Sequence, residues 1–350
     1  MNSYGGSSTF TKIQQPVSRT KLQATRIKQP ATSNNNKQPN SMLEIVFLGT
    51  GAAVPTRFRN LSGTAMIRQG EIFLFDCGEG TQIQFRKAHL RPGRLSRIFI
   101  SHFHGDHFFG LPGLLTSMQM ADCKQPIHLY GPQGLSEYIE FHKKMAKFGL
   151  GYPLQIYEVP NASNGMVWQE DDYRIVSKPL RHRIRCLGWA IVENARPGKF
   201  DSVKADDLGI PHGPERSHLQ QGESIVLANG QTVSPDIVMG PARRGYHFAY
   251  CLDTAPAPAT IALAQGADVL IHDATFKADE EESALKTGHS TVTHAAQIAR
   301  DANVRLLVLN HISGRYMPHD EDELLRTAKN TFHNTIIAQD LKRIQLDYED

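Results

Sequence analysis

Residues 101–107 read SHFHGDH and directly follow the apolar run Ile98-Phe99-Ile100. Within six positions this stretch holds four side chains that bind metals or transfer protons: His102, His104, Asp106 and His107. His102 and His104 alternate, so a turn after a strand can direct both imidazoles at one ion, and the next two groups can reach a second ion. Imidazole nitrogen and carboxylate oxygen suit zinc or manganese at catalytic sites. The stretch therefore predicts a metal centre at the end of a strand.

The composition is typical of a soluble protein with a large core. Of 350 residues, 40% are hydrophobic and 21% charged, which fits one large domain or two small ones. No run approaches the ~18 apolar residues of a membrane span, and no apolar signal-peptide core is present, so we expect no membrane association. The four cysteines form no CxxC pair, which is typical of reduced thiols and favours a cytoplasmic location.

Residues 1–41 differ in composition from the rest of the chain. They contain six basic residues and no acidic one, and they are rich in Ser, Thr, Asn and Gln. We predict a disordered basic tail; a transit peptide and an over-extended start are the alternatives, since Met42 opens a clean strand. The whole chain carries +3 and the tail +6, so residues 42–350 carry −3. An RNA partner would therefore have to be bound by local basic patches.

From Met42 onward, strands alternate with Gly-rich turns and helical patterns. The predicted strands are Leu43–Leu48, Ile72–Phe75, Ile98–Ile100, Ile127–Tyr130, His247–Leu252, Val269–His272 and Leu306–Asn310. The predicted helices are Gly113–Ala121, Leu135–Phe148, Ala255–Gln265, Thr291–Ala302 and Glu321–Ala328. Most strands end in polar residues, so we predict an α/β sandwich with its site along one sheet edge.

Residues 196–245 interrupt this pattern. They contain seven glycines and five prolines with only scattered apolar residues. An Asn229-Gly230 pair between short β-prone runs predicts a tight hairpin. A long irregular stretch inside a compact domain tends to be functional or disordered, and we predict a projecting arm.

A two-metal centre needs more ligands than SHFHGDH supplies. The other candidates follow predicted strands: His182, Asp253, His272, Asp273 and His311. One carboxylate should bridge the two cations and hold them ~3.5–4 Å apart. On pattern alone, Asp253 and Asp273 compete for this role.

The sequence resembles the metallo-β-lactamase fold and, within it, ribonuclease Z, which trims the 3′ trailer of precursor tRNA. The resemblance covers about residues 42–338. It is carried by FLGTGAAVPTRFRNLSG, FDCGEGTQIQF, SHFHGDHFFGLPGLL, LGIPHGP, DTAP, GHSTVTHAAQIA and LNHISGRY. It implies an αββα sandwich for residues 42–350 with an inserted substrate-binding arm, two zinc ions per subunit, a precursor tRNA substrate and a homodimer.

The resemblance also implies roles for individual residues. His102, His104 and His182 would bind one zinc; Asp106, His107 and His311 would bind the other; Asp253 would bridge them. Asp273 is then a structural strand-end acid and His272 a satisfied histidine. Asp106 would accept the proton of the attacking water, and His289, just before a helix, would donate one to the leaving group.

The predicted RNA contacts lie in two regions. Arg57, Arg59 and Asn60 follow the first strand and would contact phosphates, which sets position rather than reading bases. Gly213 and Pro214 in the arm are the other predicted contacts. Two departures from the family pattern affect these regions: Arg57 replaces a lysine, and the arm reads PHGP instead of PPGP. Other arginines, such as those flanking His182, fit a solvated face equally well.

Two other functions remain open on the residues alone. The same metal centre serves hydrolases of this fold that act on small esters or phosphodiesters, although these would not need the arm. An RNA-binding protein without catalysis is disfavoured, because every metal-binding residue of the family pattern is present in this sequence.

Overall fold

The computed structural model describes residues 42–160 and 165–347. Its strands, in chain order, are β1 Met42–Gly49, β2 Gly51–Ala52, β3 Gly63–Arg68, β4 Glu71–Phe75, β5 Leu95–Phe99, β6 Ile127–Pro132, β7 Leu154–Val159, β8 Gly165–Gln169, β9 Tyr173–Leu180, β10 Cys186–Glu193, β11 Ile225–Val226, β12 Thr232–Val233, β13 His247–Cys251, β14 Val269–Asp273, β15 Leu306–Asn310, β16 Ile312–Ser313, β17 Thr335–Ile337 and β18 Arg343–Asp347. The α-helices are α1 Thr81–Lys87, α2 Gly105–Phe108, α3 Leu111–Met120, α4 Leu135–Ala146, α5 Ser202–Asp207, α6 Pro214–Gln220, α7 Pro235–Val238, α8 Pro258–Ala264, α9 Glu281–Thr287, α10 Val292–Asp301 and α11 Glu321–Lys329. Short 3₁₀ helices lie at Pro92–Arg94, Ala278–Glu280 and Pro318–Asp320.

Two seven-stranded sheets form the centre of the protein. The first has the order β18-β1-β3-β4-β5-β6-β7, and the second has the order β17-β15-β14-β13-β10-β9-β8. Their facing sides bury an aromatic-rich core that includes Phe75, Phe99, Trp189 and Tyr250. This arrangement confirms the predicted sandwich.

Helices cover the outer face of each sheet. Residues of α1, α3 and α4, such as Phe85, Leu115 and Ile139, pack on the first sheet. Residues of α8, α10 and α11, such as Leu263 and Leu324, pack on the second. With both faces covered, β14 is buried along its whole length, as expected of a parallel strand in a central position. The layers are therefore helix, sheet, sheet, helix.

Parallel pairing determines where the polar strand ends lie. Strands β4, β5, β6 and β7 are parallel, as are β13, β14, β15 and β17. The carboxyl ends of parallel strands meet at one edge, so the segments after β4, β5, β13, β14 and β15 come together. Ser101 O accepts a hydrogen bond from Leu187 N at 2.9 Å, which joins the two sheets near this edge.

All twelve predicted strands and helices are present, with ends displaced by no more than three residues. Of the strands in the two large sheets, β3, β7 to β10, β17 and β18 were not predicted. Their pairing within the sheets, rather than a long regular pattern, defines them. Among the described residues, no helix is both long and apolar enough to cross a membrane.

The arm at residues 196–245 is more ordered than its composition indicated. It contains α5, α6, α7 and the predicted hairpin, in which Ile225 pairs with Val233. Six of its apolar residues form a separate small core: Ala205, Ile210, Leu219, Ile225, Val233 and Val238. The two chain segments of its neck are paired through Arg196 with Arg243 and through Phe200 with Met239. Scattered apolar residues therefore suffice for a mini-core once the chain folds back on itself.

Candidate metal centre and active site

Three histidines and one aspartate converge on the first candidate metal position. His104 Nδ1 lies 3.0 Å from His102 Nε2 and 3.1 Å from His182 Nε2. Asp253 Oδ2 lies 3.5 Å and 3.6 Å from the same two Nε2 atoms. His102 and His104 come from the segment after β5, His182 from the turn between β9 and β10, and Asp253 from the segment after β13.

The second candidate position lies on the other side of the Asp253 carboxylate. Asp253 Oδ1 is 3.0 Å from His107 Nε2 and 3.1 Å from His311 Nε2. Asp106 Oδ2 completes the group, 3.4 Å from His311 Nε2 and 3.5 Å from His107 Nε2. Because each oxygen of Asp253 faces a different group, Asp253 and not Asp273 has the geometry of a bridge.

The residues present fit a pair of cations. A tetrahedron with ligand bonds of about 2.0–2.1 Å has edges of about 3.3–3.4 Å, close to the observed ligand spacings. The Nε2 atoms of His107 and His311 face one another at 3.2 Å, and Asp253 Oδ1 is buried without a hydrogen-bond partner among the described residues. Acceptor atoms packed this closely are unfavourable unless protons or a metal cation lie between them, and the tetrahedral spacing of the group suits a metal cation.

The opposite ring nitrogens of the histidines are held by hydrogen-bonding groups. His107 Nδ1 lies 2.7 Å from Asp76 Oδ2, and His311 Nδ1 lies 2.9 Å from Thr275 Oγ1. His102 Nδ1 lies 2.9 Å from Ser101 Oγ, and His182 Nδ1 donates to the carbonyl of Gly288 at 2.8 Å. Partners of this kind fix ring orientation and raise ligand basicity.

The sequence reasoning assigned no role to Asp76. Its carboxylate also accepts hydrogen bonds from Ser101 N, Ser101 Oγ and Tyr250 OH, so it ties the segment after β4 to SHFHGDH. The feature of the sequence that could have indicated this role is the position of Asp76 directly after an apolar strand. Asp76, Asp253 and His311 all have φ between 54° and 59°, a left-handed conformation that costs non-glycine residues ~1–3 kcal/mol. Three of the ten described non-glycine residues with positive φ therefore belong to the candidate metal centre and its supporting groups.

The carboxylates of the site favour positive charge on the neighbouring imidazoles or on a bound cation. Burial opposes ionisation of Asp106, yet His107 and His311 hold the pKa of its carboxyl well below its usual range. Burial likewise opposes the charged form of His107, but Asp253, Asp106 and Asp76 outweigh it and raise the pKa. At the first position, burial lowers the pKa of His182 to about 4, so its imidazole is neutral and able to bind a cation.

His289 lies beside the centre and is oriented by Asp273. Its Nδ1 is 2.7 Å from Asp273 Oδ2, its ring stacks on His311 with centroids 5.4 Å apart, and its Nε2 is 3.9 Å from Asp253 Oδ2. Burial disfavours the charged imidazole, but the Asp273 carboxylate outweighs this effect and raises the pKa of His289 to about 9. Thr291, two residues later, caps α10 with its side chain, so His289 lies just before this helix. Asp273 therefore orients His289, a role that its interpretation as a structural acid did not include.

Comparison with known proteins identifies the family. The chain is 42% identical over 312 residues to ribonuclease Z of Synechococcus sp. (strain CC9311), with 87% of this chain and 99% of the relative covered. It is 44% identical over 303 residues to ribonuclease Z of Gloeothece citriformis (strain PCC 7424), covering 85% and 94%. The chain belongs to the ribonuclease Z family. It is accordingly an enzyme of the endoribonuclease class of hydrolases, as predicted.

The structural comparisons agree with a ribonuclease Z. The human short-form tRNase Z superposes with a TM-score of 0.64 at 28% identity, covering 86% of this chain and 98% of that one. The metallo-β-lactamase fold protein YhfI of Bacillus subtilis, at 17% identity and a TM-score of 0.60, shows the shared fold. Family models for a beta-lactamase superfamily domain and for anti-Pycsar protein Apyc1 match residues 223–312 and 43–147. The predicted metallo-β-lactamase fold is confirmed.

Of the loop residues predicted to contact phosphates in this ribonuclease Z, only Arg57 exposes its side chain. Arg59 is 5% exposed; its guanidinium donates to Thr50 Oγ1 and Ala338 O and pairs with Glu321 at 2.5 Å. In this structure Arg59 anchors the loop through these contacts, and its predicted contact with phosphate stays a prediction. Asn60 is half-buried, and its side chain donates to Glu79 O at 3.2 Å.

Gly213 and Pro214, the predicted contacts of the ribonuclease Z arm, are exposed at the start of α6. Gly213 has φ 128° and ψ −139°, a conformation that essentially only glycine adopts. The pair belongs to the arm and not to the cluster of metal-binding side chains.

Proposed function

We propose that the chain is a zinc-dependent endoribonuclease that removes the 3′ trailer from precursor tRNA and leaves a 3′-hydroxyl on the tRNA. The observation that carries this proposal is the pair of ligand groups shared through Asp253, in a chain whose relatives are named ribonuclease Z. The imidazole-rich ligand set favours zinc over magnesium or calcium. The buried, free cysteines agree with a reducing compartment such as the cytoplasm.

The arrangement of the candidate ligands indicates how phosphodiester hydrolysis would proceed. When bound, two zinc ions would neutralise phosphoryl charge and make water nucleophilic near neutral pH. Asp106 accepts the proton of the attacking water; the hydrogen bond from Ala53 N to its Oδ2 at 2.8 Å holds the carboxylate in place. Arg57, exposed on the same loop, contacts a substrate phosphate.

His289 supplies the proton that the departing ribose 3′-oxygen needs. Asp273 binds Nδ1, which leaves Nε2 directed toward Asp253 and the space between the metal positions. A general acid must lie within hydrogen-bonding reach of the leaving atom, and this orientation allows it.

Cleavage of a precursor tRNA with a 3′ trailer tests the proposal directly. We expect a mature-length product with a 3′-hydroxyl, no cleavage with a chelator, and recovery when zinc is added. Binding without cleavage would indicate an RNA-binding protein. Hydrolysis of small esters with no action on the precursor would indicate a small-molecule hydrolase of the same fold.

A homodimer is part of the proposal. Helix α4 exposes Phe141 and Met145, and Met120 is exposed at the end of α3, whereas Leu114 and Leu115 of α3 are buried in the core. Phe141 and Met145 lie four positions apart and therefore share one face of α4, and such an exposed apolar pair favours subunit contact. Sedimentation analysis of the protein and of Phe141→Glu tests it.

Replacing residues 198–240 with a short Gly/Ser linker should raise KM for precursor tRNA steeply while kcat changes little. The arm has its own core, so its removal leaves the sandwich intact, and uniform binding energy appears in KM. Its ends lie close together, with Gly240 N donating to Lys199 O at 2.8 Å, so a short linker spans them. The measurement is steady-state cleavage of precursor tRNA.

Hydrolysis of bis(p-nitrophenyl) phosphate is the control for the arm deletion, since this substrate reaches only the metal centre. It should survive the deletion. Loss of both activities in a folded, zinc-loaded protein would place the arm in the catalytic site and contradict this account.

A chain beginning at Met42 should fold and cleave with nearly unchanged kcat. Residues 1–41 lie outside the described residues, and β1 begins at Met42 and pairs with β3 and β18. Circular dichroism, zinc content and kcat measure the result. A large loss of activity at normal zinc content would refute the prediction that the tail is dispensable.

A further inference from the structure

The arm contains a buried arginine with several hydrogen-bonding partners. Arg216 lies in α6 and is 8% exposed. Its guanidinium NH2 donates to Asp206 Oδ1 at 2.5 Å and to Ile210 O at 2.8 Å, and its Nε donates to Ile210 O and Pro211 O, each at 3.2 Å. Burying a charge is unfavourable unless it is paired and hydrogen-bonded, so these contacts belong together.

The bonds of Arg216 fix one turn of the arm. Residues 209–213 form the turn between α5 and α6. Arg216 binds Asp206 of α5 and two successive carbonyls of this turn, those of Ile210 and Pro211. Gly209 has φ +67° and Gly213 has φ +128°, so glycines flank the turn and leave its backbone many alternative conformations in the absence of a tether. A planar guanidinium can hold both carbonyls and the carboxylate at once, whereas an ammonium cannot reproduce this fork.

The apex of the tethered turn is His212. Its side chain is 82% exposed, and its Nε2 lies 3.4 Å from Asp206 Oδ1, the oxygen that also accepts from Arg216. The imidazole and the backbone of Gly213 are thus presented to solvent from a turn that the buried guanidinium holds in place.

We propose that Arg216 is a positioning residue for RNA binding, which holds the turn at residues 209–213 so that His212 contacts the substrate backbone. This inference rests on the proposed function, in which the arm binds precursor tRNA. A contact group that is already ordered binds without the entropy cost of ordering it, and the benefit appears as affinity for RNA. Arg216 itself does not touch the RNA.

The test compares Arg216→Gln, Arg216→Lys, His212→Ala and the double variant Arg216→Gln/His212→Ala in cleavage of precursor tRNA. We expect KM to rise about tenfold in Arg216→Gln and in His212→Ala, with kcat nearly unchanged. Arg300→Ala is the control: it removes an exposed arginine that pairs with the neighbouring Asp301 and lies outside the arm, and it should leave KM unchanged.

The double variant and the lysine variant decide whether Arg216 acts through the turn. If it does, Arg216→Gln adds little to the KM of His212→Ala, since coupled residues are non-additive. Arg216→Lys keeps the charge but should remain defective. The proposal would be overturned if the KM increases of Arg216→Gln and His212→Ala multiplied in the double variant, or if Arg216→Lys had a normal KM.

Hydrogen exchange separates a loosened turn from a lost arm. Amides of α6 should stay protected in Arg216→Lys while those of residues 209–213 exchange faster. If Arg216→Gln loses protection throughout α6, the lysine variant decides: a raised KM supports the proposal and a normal KM refutes it. If the unaltered enzyme hydrolyses bis(p-nitrophenyl) phosphate but neither binds nor cleaves precursor tRNA, the proposed function fails first and this inference falls with it.

Discussion

Asp253→Ala should purify with little or no zinc and without detectable ribonuclease activity, whereas Asp273→Ala should retain its metals. Each oxygen of Asp253 faces a different ligand group, so its removal takes one ligand and much of the compensating charge from both positions. Asp273 instead binds His289, Thr254 N and Thr275, none of which is a proposed ligand. The measurement is zinc content per chain after purification.

Asp253→Asn is the isosteric companion of this experiment, since it keeps the shape of the side chain but lowers its charge. It should also lose zinc, although the fold is retained by circular dichroism. Equal zinc loss in the Asp253→Ala and Asp273→Ala variants would refute the assignment of the bridge to Asp253.

His289→Ala should retain both zinc ions and normal RNA affinity while kcat for precursor tRNA falls by ~10²–10⁴-fold, the usual contribution of a general acid. The reason is geometric: Nδ1 is held by Asp273, and Nε2 points to the centre. A substrate with a better leaving group, such as bis(p-nitrophenyl) phosphate, should largely escape the defect, because its leaving oxygen needs no proton. Single-turnover cleavage of both substrates measures the difference.

The same experiment extends to the residue that orients His289. Asp273→Asn should reproduce much of the defect, and combining it with His289→Ala should add little, because residues that act as a unit are non-additive. An equal loss on the activated substrate would show that His289 positions the substrate or stabilises the site instead of donating a proton.

The sequence was informative where a role depends on local spacing at a strand end. SHFHGDH, Asp253 and His311 follow strands whose carboxyl ends parallel pairing brings to one edge. His182 reaches the same edge from the turn of the antiparallel β9–β10 pair. The choice between Asp253 and Asp273 needed the family resemblance, and the positions of the two carboxylate oxygens now favour Asp253 on geometry. Their roles as ligands stay predictions until the metal is measured.

The sequence was uninformative where the contacts of a side chain depend on distant partners. Arg59 resembled a phosphate contact, but Thr50, Glu321 and Ala338, up to 279 residues away, bind its guanidinium. The contacts of Asp76 were likewise not predicted, because its partner Tyr250 lies 174 residues away.

Local patterns in the sequence therefore indicated an α/β sandwich, the regular elements with strong apolar periodicity and the side chains available to a metal centre. Tertiary structure decided which carboxylate faces both groups of candidate ligands, which side chains form hydrogen bonds with those candidates, and which arginines are exposed. Hydrogen bonds between strand ends depend on strand order and register, and the mini-core of the arm depends on the chain folding back on itself. No local pattern specifies such long-range contacts.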